Sequence, residues 1–281
     1  MAEKKAQKEQ LEETAIVVQD EYDVSAFADM GGLGLEEVKS SDMVIPRLSI
    51  LQAMSPAVTD EDSTAKAGEI YNITTSENYG RSMQFVAVGY WVSRTKWFTR
   101  EIGSDVECVA PTATQGTVYG ACATCEFAKW TEDGSGKNLP PFCTDFKNFI
   151  MLPVLEGVPV SDSPFVLYSG KRTAIRSINR FLTALKMRKH NGVPLPIFAD
   201  VWEMKAEGQE GKTGGKYYTP AFKRIRSITA VEVPLMLARY KEFDSIRAAA
   251  QDFAVKAADP SDEESDIVED DGAPLGEPLN I

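Results

Sequence analysis

The spacing of apolar residues predicts a β-rich body that contains one clear helix. Apolar and β-branched runs in the first part of the body predict five strands, at residues 44–51, 68–74, 83–98, 148–155 and 164–168. Between residues 171 and 189 the apolar positions Ile175, Ile178, Leu182 and Leu185 recur at intervals of three and four, which predicts an amphipathic helix. Two more strands, 201–205 and 217–228, follow around the glycine-rich turn 208–215, and a last helix is predicted over 233–258.

Several short strands, a helix between them and a long excursion after the longest strand favour a mainly β (α+β) fold. The expected architecture is an elaborated OB-fold-like small barrel with a cysteine loop at 106–145 and one or two flanking helices. A β-sandwich is the alternative. The body is expected to span 43–258, with a flexible acidic arm at 1–42 before it and a disordered acidic tail at 259–281 after it.

The charge of the chain is segregated along its length. Residues 259–281 contain nine acidic residues and no Lys or Arg, and residues 1–42 contain eleven acidic residues against four lysines. Since the whole chain has 30 Lys and Arg and 42 Asp and Glu, 26 basic and 22 acidic residues remain between 43 and 258. A basic body joined to a polyanionic tail predicts a polyanionic ligand, with a tail that competes with it or recruits partners.

Several classes of protein are disfavoured by the sequence. No run of 18 apolar residues is present, so we expect no membrane span, and the charged N-terminus lacks the apolar segment of a secretory signal. The expected location is the cytoplasm, which would be that of a host cell for a phage-encoded protein. In that reducing compartment the cysteines are expected to be thiols or metal ligands, not disulfides.

The four cysteines of the chain form one cluster. Cys108, Cys122, Cys125 and Cys143 lie within 36 positions, and two of them form a Cys-x-x-Cys pair. The segment around them is rich in Gly, Thr, Pro and Asp and has too few apolar residues for a core of its own. Tetrahedral thiolate coordination of a structural Zn²⁺ would hold such a loop together, so the spacing predicts a zinc site. A redox pair and unliganded thiols are the alternatives.

Basic residues are concentrated in the predicted central helix and in two predicted strands. Residues 171–190 contain seven Lys or Arg and no acidic residue, and Arg172, Arg176 and Arg180 are spaced to lie on one helix face. Residues 90–100 and 216–226 mix cations with aromatic residues, as single-strand binders do when rings stack on bases and cations follow the backbone. The candidate nucleic-acid-binding residues are Tyr90, Arg94, Lys96, Trp97, Phe98, Arg100, Lys171, Arg172, Arg176, Arg180, Lys216, Tyr217, Tyr218, Phe222, Lys223, Arg224 and Arg226.

No catalytic nucleophile can be assembled, because the chain has a single histidine. Glu203 and Lys205 have the spacing found on a strand of metal-dependent nucleases, but such sites need another acidic ligand for Mg²⁺. We therefore expect a non-catalytic protein and keep an Mg²⁺-dependent nuclease as a distant alternative.

This layout resembles that of bacteriophage single-stranded DNA-binding proteins. The resemblance rests on the β-rich body with cationic and aromatic strands, the cysteine loop, and the acidic tail with Leu275, Leu279 and Ile281 near its end. It implies an OB-fold, sequence-tolerant binding of single-stranded DNA in replication and recombination, and recruitment of replication or recombination proteins by the tail. Homo-oligomers are possible. The alternative function is a zinc-containing protein-interaction or virion-assembly protein.

Overall fold

A computed structural model describes residues 34, 37, 44–99, 105–211 and 214–256. The chain divides after Met43, and the description below concerns the second unit. Apart from residues 34 and 37, the predicted acidic arm lies outside the described residues, as do the predicted tail 259–281 and Arg100. Within the described part of the chain, no helix has both the length and the apolar character needed to cross a membrane.

The described residues form fourteen strands and four α-helices. The strands are β1 (Arg47–Ile50), β2 (Ile70–Asn72), β3 (Ser82–Trp97), β4 (Val106–Ala110), β5 (Gln115–Gly116), β6 (Gly120–Ala121), β7 (Thr131–Glu132), β8 (Asn138–Leu139), β9 (Thr144–Pro153), β10 (Val166–Lys171), β11 (Lys189–His190), β12 (Val193–Pro194), β13 (Asp200–Glu210) and β14 (Lys216–Ser227). The helices are α1 (Pro56–Thr59), α2 (Ala174–Met187), α3 (Glu232–Lys241) and α4 (Phe243–Lys256).

Eight of these strands form one curled, half-barrel sheet. Its order is β14-β13-β3-β9-β10-β1-β2, and β4 pairs with the far end of β3. Every pair is antiparallel except β1 with β10. The prediction of a mainly β, barrel-like architecture is thus confirmed.

The sheet is buried on both faces, which explains the continuous apolar runs of its central strands. On the inner face, helix α2 contributes Ile178 and Phe181 to a core that also contains Phe85, Phe149 and Trp202. On the opposite face, α3 and α4 cover a second core. Its larger members are Val86, Val88, Trp91, Ile150, Leu152, Val160, Leu167, Phe198, Val201, Met236 and Phe243. Successive residues of β3 and β9 therefore enter two different cores.

The Gln52 side chain connects the β1 side of the sheet to its other edge at β14. Its amide nitrogen donates to the carbonyl oxygen of Tyr218 at 3.0 Å, and its amide oxygen accepts from the Tyr218 N–H at 2.8 Å. One side chain thus pairs with Tyr218 as a neighbouring strand would. This contact completes hydrogen bonding at a place where the two strands do not form a ladder.

Two predicted elements differ from the structure. The final helix predicted over 233–258 is two helices, because the chain turns at Glu242 and Phe243 enters the second core, the one covered by α3 and α4. Gly89 makes this packing possible, since a Cβ at that position would lie 1.9 Å from the Phe243 ring. The β13–β14 hairpin also extends further into the glycine-rich turn than the sequence predicts. Its strands remain paired as far as Glu210 and Lys216.

We predict that Gln52→Ala lowers the free energy of unfolding by about 1–3 kcal/mol, because it leaves both backbone groups of Tyr218 without partners in a partly buried place. Chemical denaturation would measure the change. Gln209→Ala, at an exposed position of β13, is the control and should change stability by less than about 0.5 kcal/mol. Equal stability of the two variants would contradict this role for Gln52.

Candidate nucleic-acid interface

A polar cleft opens where β1, β10, β14 and the first turn of α2 meet. Its cavity volume is about 80 Å³. Two cations, Arg47 and Lys171, line it together with Tyr218, and the other polar lining residues are Ser49, Gln52, Ser55, Tyr168, Ser169 and Thr173. The N-terminus of α2 borders the cleft, Thr173 makes no capping hydrogen bond there, and the first turn contains no acidic residue. The partial positive charge of a helix N-terminus favours anions at such a position.

A row of arginines continues from the cleft along α2. Arg172, Arg176 and Arg180 are all exposed, but Arg172 precedes the helix by two residues, so only Arg176 and Arg180 lie one turn apart on α2, where Ile178 and Phe181 are buried on the core side. None of the three arginines forms an ion pair or a side-chain hydrogen bond with another described residue. Arg172 adopts a left-handed backbone conformation with φ +44°, which turns the chain from β10 into the helix.

Tyr218 provides the aromatic group of the cleft. The guanidinium of Arg81 and the ammonium of Lys216 lie 5.9 Å and 5.6 Å from the centre of its ring. The ring also packs on Gly68, where a Cβ would lie only 2.5 Å from a ring carbon. Arg47 and Arg81 could not be selected from the sequence, because each is an isolated cation in its segment and joins the others only through the fold.

Other predicted interface cations are engaged in ion pairs. Arg94 bonds Asp145 at 2.6 Å. Arg226 bonds Glu232 at 2.8 Å, and this contact lowers the pKa of Glu232 to about 2. These pairs tie neighbouring elements together, so the cations are not freely available to a ligand.

Arg224 belongs to a buried network around Asp200. The Asp200 carboxylate is 2% exposed and accepts hydrogen bonds from Arg188, Arg224 and Ser227. Burial alone would raise the pKa of Asp200, but the hydrogen bonds from Arg188, Arg224 and Ser227 lower it overall. The network fixes the start of β13 to the residue that follows α2, which is a structural role for Arg224.

The aromatic candidates divide between core and surface. Phe222 stacks on Phe181 inside the sheet with a ring distance of 4.3 Å, and Trp97 is buried. Tyr90 packs on Phe149 at 5.0 Å and is half-buried. Phe98 is 62% exposed. Tyr217 is partly exposed, and Lys223, on the same strand β14, is exposed.

The alternation of β3 predicts that Lys96 is an exposed cation, but the structure buries it. Its side chain is 7% exposed, and its ammonium bonds the Glu107 carboxylate. The ammonium also lies 4.5 Å from the centre of the Phe127 ring, with the rings of Tyr119 and Phe142 within 5.9 Å. This aromatic cage joins β3 to the cysteine-containing loop and removes Lys96 from the surface.

The four cysteines line a second, very small cavity. All four thiols are free, and the cavity volume of about 10 Å³ is that of a single water-sized sphere. Burial and the neighbouring thiols raise the pKa of Cys143 to about 11. Across the described residues no three His, Cys, Asp or Glu side chains already stand as a group that could hold a metal ion. The thiols therefore share a cavity without forming a finished coordination site.

Glu203 and Lys205 lie on β13, where Glu203 accepts a hydrogen bond from Ser82 at 3.0 Å. Among the described residues, no group of three His, Cys, Asp or Glu side chains that could hold a metal ion includes Glu203.

Comparison with known proteins identifies a family. A family model described as Pam3 phage gp34-like protein matches residues 13–244. The chain therefore belongs to the Pam3 phage gp34-like family, which indicates a bacteriophage protein. No curated protein and no solved structure matches the chain.

We predict that Lys96→Met destabilises the protein by about 3 kcal/mol or more, because it leaves the Glu107 carboxylate largely buried without its cation. Urea denaturation would measure the loss. The double variant Lys96→Met/Glu107→Leu should recover much of it, since the unpaired charge is then gone. A single variant as stable as the native protein would contradict the buried pair.

Proposed function

We propose that this protein binds single-stranded DNA without catalysis, through the cleft and the arginine row of α2. The observation that carries the proposal is the row itself: three exposed arginines, free of described partners, that continue from a cleft lined by Arg47 and Lys171. Phosphates are the ligands that these three arginines favour, and neutralisation of the phosphates releases counterions.

The shape and chemistry of the cleft support a single strand in preference to a duplex. The half-buried ring of Tyr218 lies within 5.9 Å of Arg81 and Lys216, and the proposal places one unpaired base beside this ring, with these cations at the adjacent phosphates. A base inside a duplex is already stacked on its neighbours and has no free face for this contact. Membership of a phage family is compatible with a replication or recombination role.

The proposal includes an elaborated OB-fold as the architecture of the body. In its support, the sheet is curled, has a single parallel pair along its main path, and encloses a core that is filled from one side by α2. OB-folds bind oligonucleotides on a strand face of such a barrel. In this chain, β1, β10 and β14 would provide the equivalent surface.

A second candidate function, protein interaction or virion assembly, is favoured by the cysteine-containing loop. Its surface carries exposed large apolar side chains, including Val118 at 61%, Trp130 at 49% and Phe142 at 48%. Exposed apolar clusters of this kind often mark contacts with other proteins. A fluorescence titration separates the two functions, because only a DNA-binding protein should show tyrosine or tryptophan quenching by oligo-dT.

We predict that Arg176→Gln/Arg180→Gln weakens binding to oligo-dT. The slope of log K against log[salt] should become shallower by about 1.4, since each lost phosphate contact on a single strand accounts for about 0.7. Fluorescence anisotropy of labelled oligo-dT at several salt concentrations would measure both quantities, with duplex DNA of equal length in parallel.

Lys129→Gln/Lys241→Gln is the matched control, because it removes the same charge from exposed positions outside the cleft and the row. An equal loss of affinity in both double variants would mean that net charge alone matters. No binding of oligo-dT by the native protein would refute the proposed function.

The acidic tail 259–281 is proposed to compete with DNA for the same cations and to recruit replication or recombination proteins. We predict that its deletion tightens oligo-dT binding, most strongly at low salt, because nine competing acidic residues are removed. A tail of full length with those acids changed to Asn and Gln should behave like the deletion in the same anisotropy assay. Unchanged or weaker binding after deletion would argue against competition.

A further inference from the structure

The thiol cavity is assembled from three separate parts of the chain, one of which supplies the Cys122–Cys125 pair. Cys108 lies on β4, Cys122 follows β6, Cys125 precedes the 3₁₀ turn Glu126–Ala128, and Cys143 immediately precedes β9. Strands β4 and β9 flank β3 on opposite sides, so two of the cysteines are positioned by the main sheet.

Backbone hydrogen bonds hold Cys122 and Cys143 in place. The Cys122 N–H donates to the Thr114 carbonyl at 2.9 Å, and the Cys143 N–H donates to the Phe127 carbonyl at 2.9 Å. Gly116 packs directly against Cys108, because a Cβ at position 116 would lie only 2.7 Å from the Cys108 sulfur. The chain therefore brings all four thiols around a space for one atom, in a loop with little apolar core of its own.

The geometry points to a structural zinc site formed by Cys108, Cys122, Cys125 and Cys143, with Arg94 as the cation beside it that offsets part of its negative charge. Four thiolates suit Zn²⁺, which prefers a closed tetrahedron of sulfur ligands at about 2.3 Å when it is structural. The cavity is too small for an organic ligand and has the volume of a single small ion or water. Binding draws the side chains inward from their present positions and couples the ion to folding of the loop.

The role of Arg94 follows from the net charge of the zinc–thiolate complex. When Zn²⁺ replaces the protons of four thiols, four protons leave and the complex holds two net negative charges. Arg94 is the one cation that lines the described cavity, and its other partner is Asp145. We therefore assign Arg94 a positioning role beside the metal, and Asp145 orients the guanidinium. This role is independent of the proposed DNA binding.

Metal content of the purified full-length protein tests the site. We expect about one zinc per chain by elemental analysis, and release of that zinc as a mercurial reagent titrates four thiols. Cobalt substitution should give the absorption of a tetrahedral cobalt–thiolate centre. Iron in place of zinc, two disulfides, or zinc that remains after all four thiols are blocked would each overturn the proposal. These readouts use the native chain, so they do not depend on whether cysteine variants fold.

Zinc competition with a chromogenic chelator tests Arg94. Arg94→Gln should weaken zinc binding by about 10–100-fold, the range found when an outer partner of a metal ligand is removed. Arg94→Lys should recover part of the affinity because it keeps the charge. Lys129→Gln is the matched control, since it removes an exposed cation from the same loop. Equal zinc affinity of Arg94→Gln and Lys129→Gln would overturn the role of Arg94.

Discussion

Burial of the central strand β3 on both faces is the constraint on which the rest of the structure depends. Its sixteen residues pair with β9, β13 and β4, and the apolar side chains between Met83 and Trp91 are divided between two cores. Helix α2 must cover one face and α3 with α4 the other, because neither face of such a strand tolerates water. The close approach of Phe243 to Gly89 shows how tightly the outer layer is packed.

The C-terminal end of β3 anchors the cysteine-containing loop. Lys96 is held there by Glu107 and by aromatic rings of the loop, and Arg94 lies beside the thiols. A buried ion pair is costly to desolvate, and its attraction and hydrogen bonding must offset that cost. The loop thereby joins the main sheet through charged and aromatic contacts instead of a shared apolar core.

The distribution of basic residues shows where sequence reasoning succeeds. The helix α2 was predictable because both its apolar stripe and its arginine row repeat with the helical period, and a helix fixes the faces of its residues locally. Which side chains of the strands reach solvent was harder to predict. On β3 and β14 the same mixture of cations and rings includes the buried Lys96, the core residue Phe222 and the ion-paired Arg226. Pairing partners and bulges decide which of these reach solvent, and neither is local.

The sequence by itself determined the β-rich class, the positions of the main strands and the central helix, and the clustering of cysteines, because these follow from period, spacing and composition within short segments. Tertiary structure alone decided that Arg47, Lys171 and Tyr218 share a cleft, that Gln52 links β1 to β14, and that Arg94 faces the thiols. These residues are far apart along the chain. Their contacts depend on strand order and on the curl of the sheet, which long-range pairing determines.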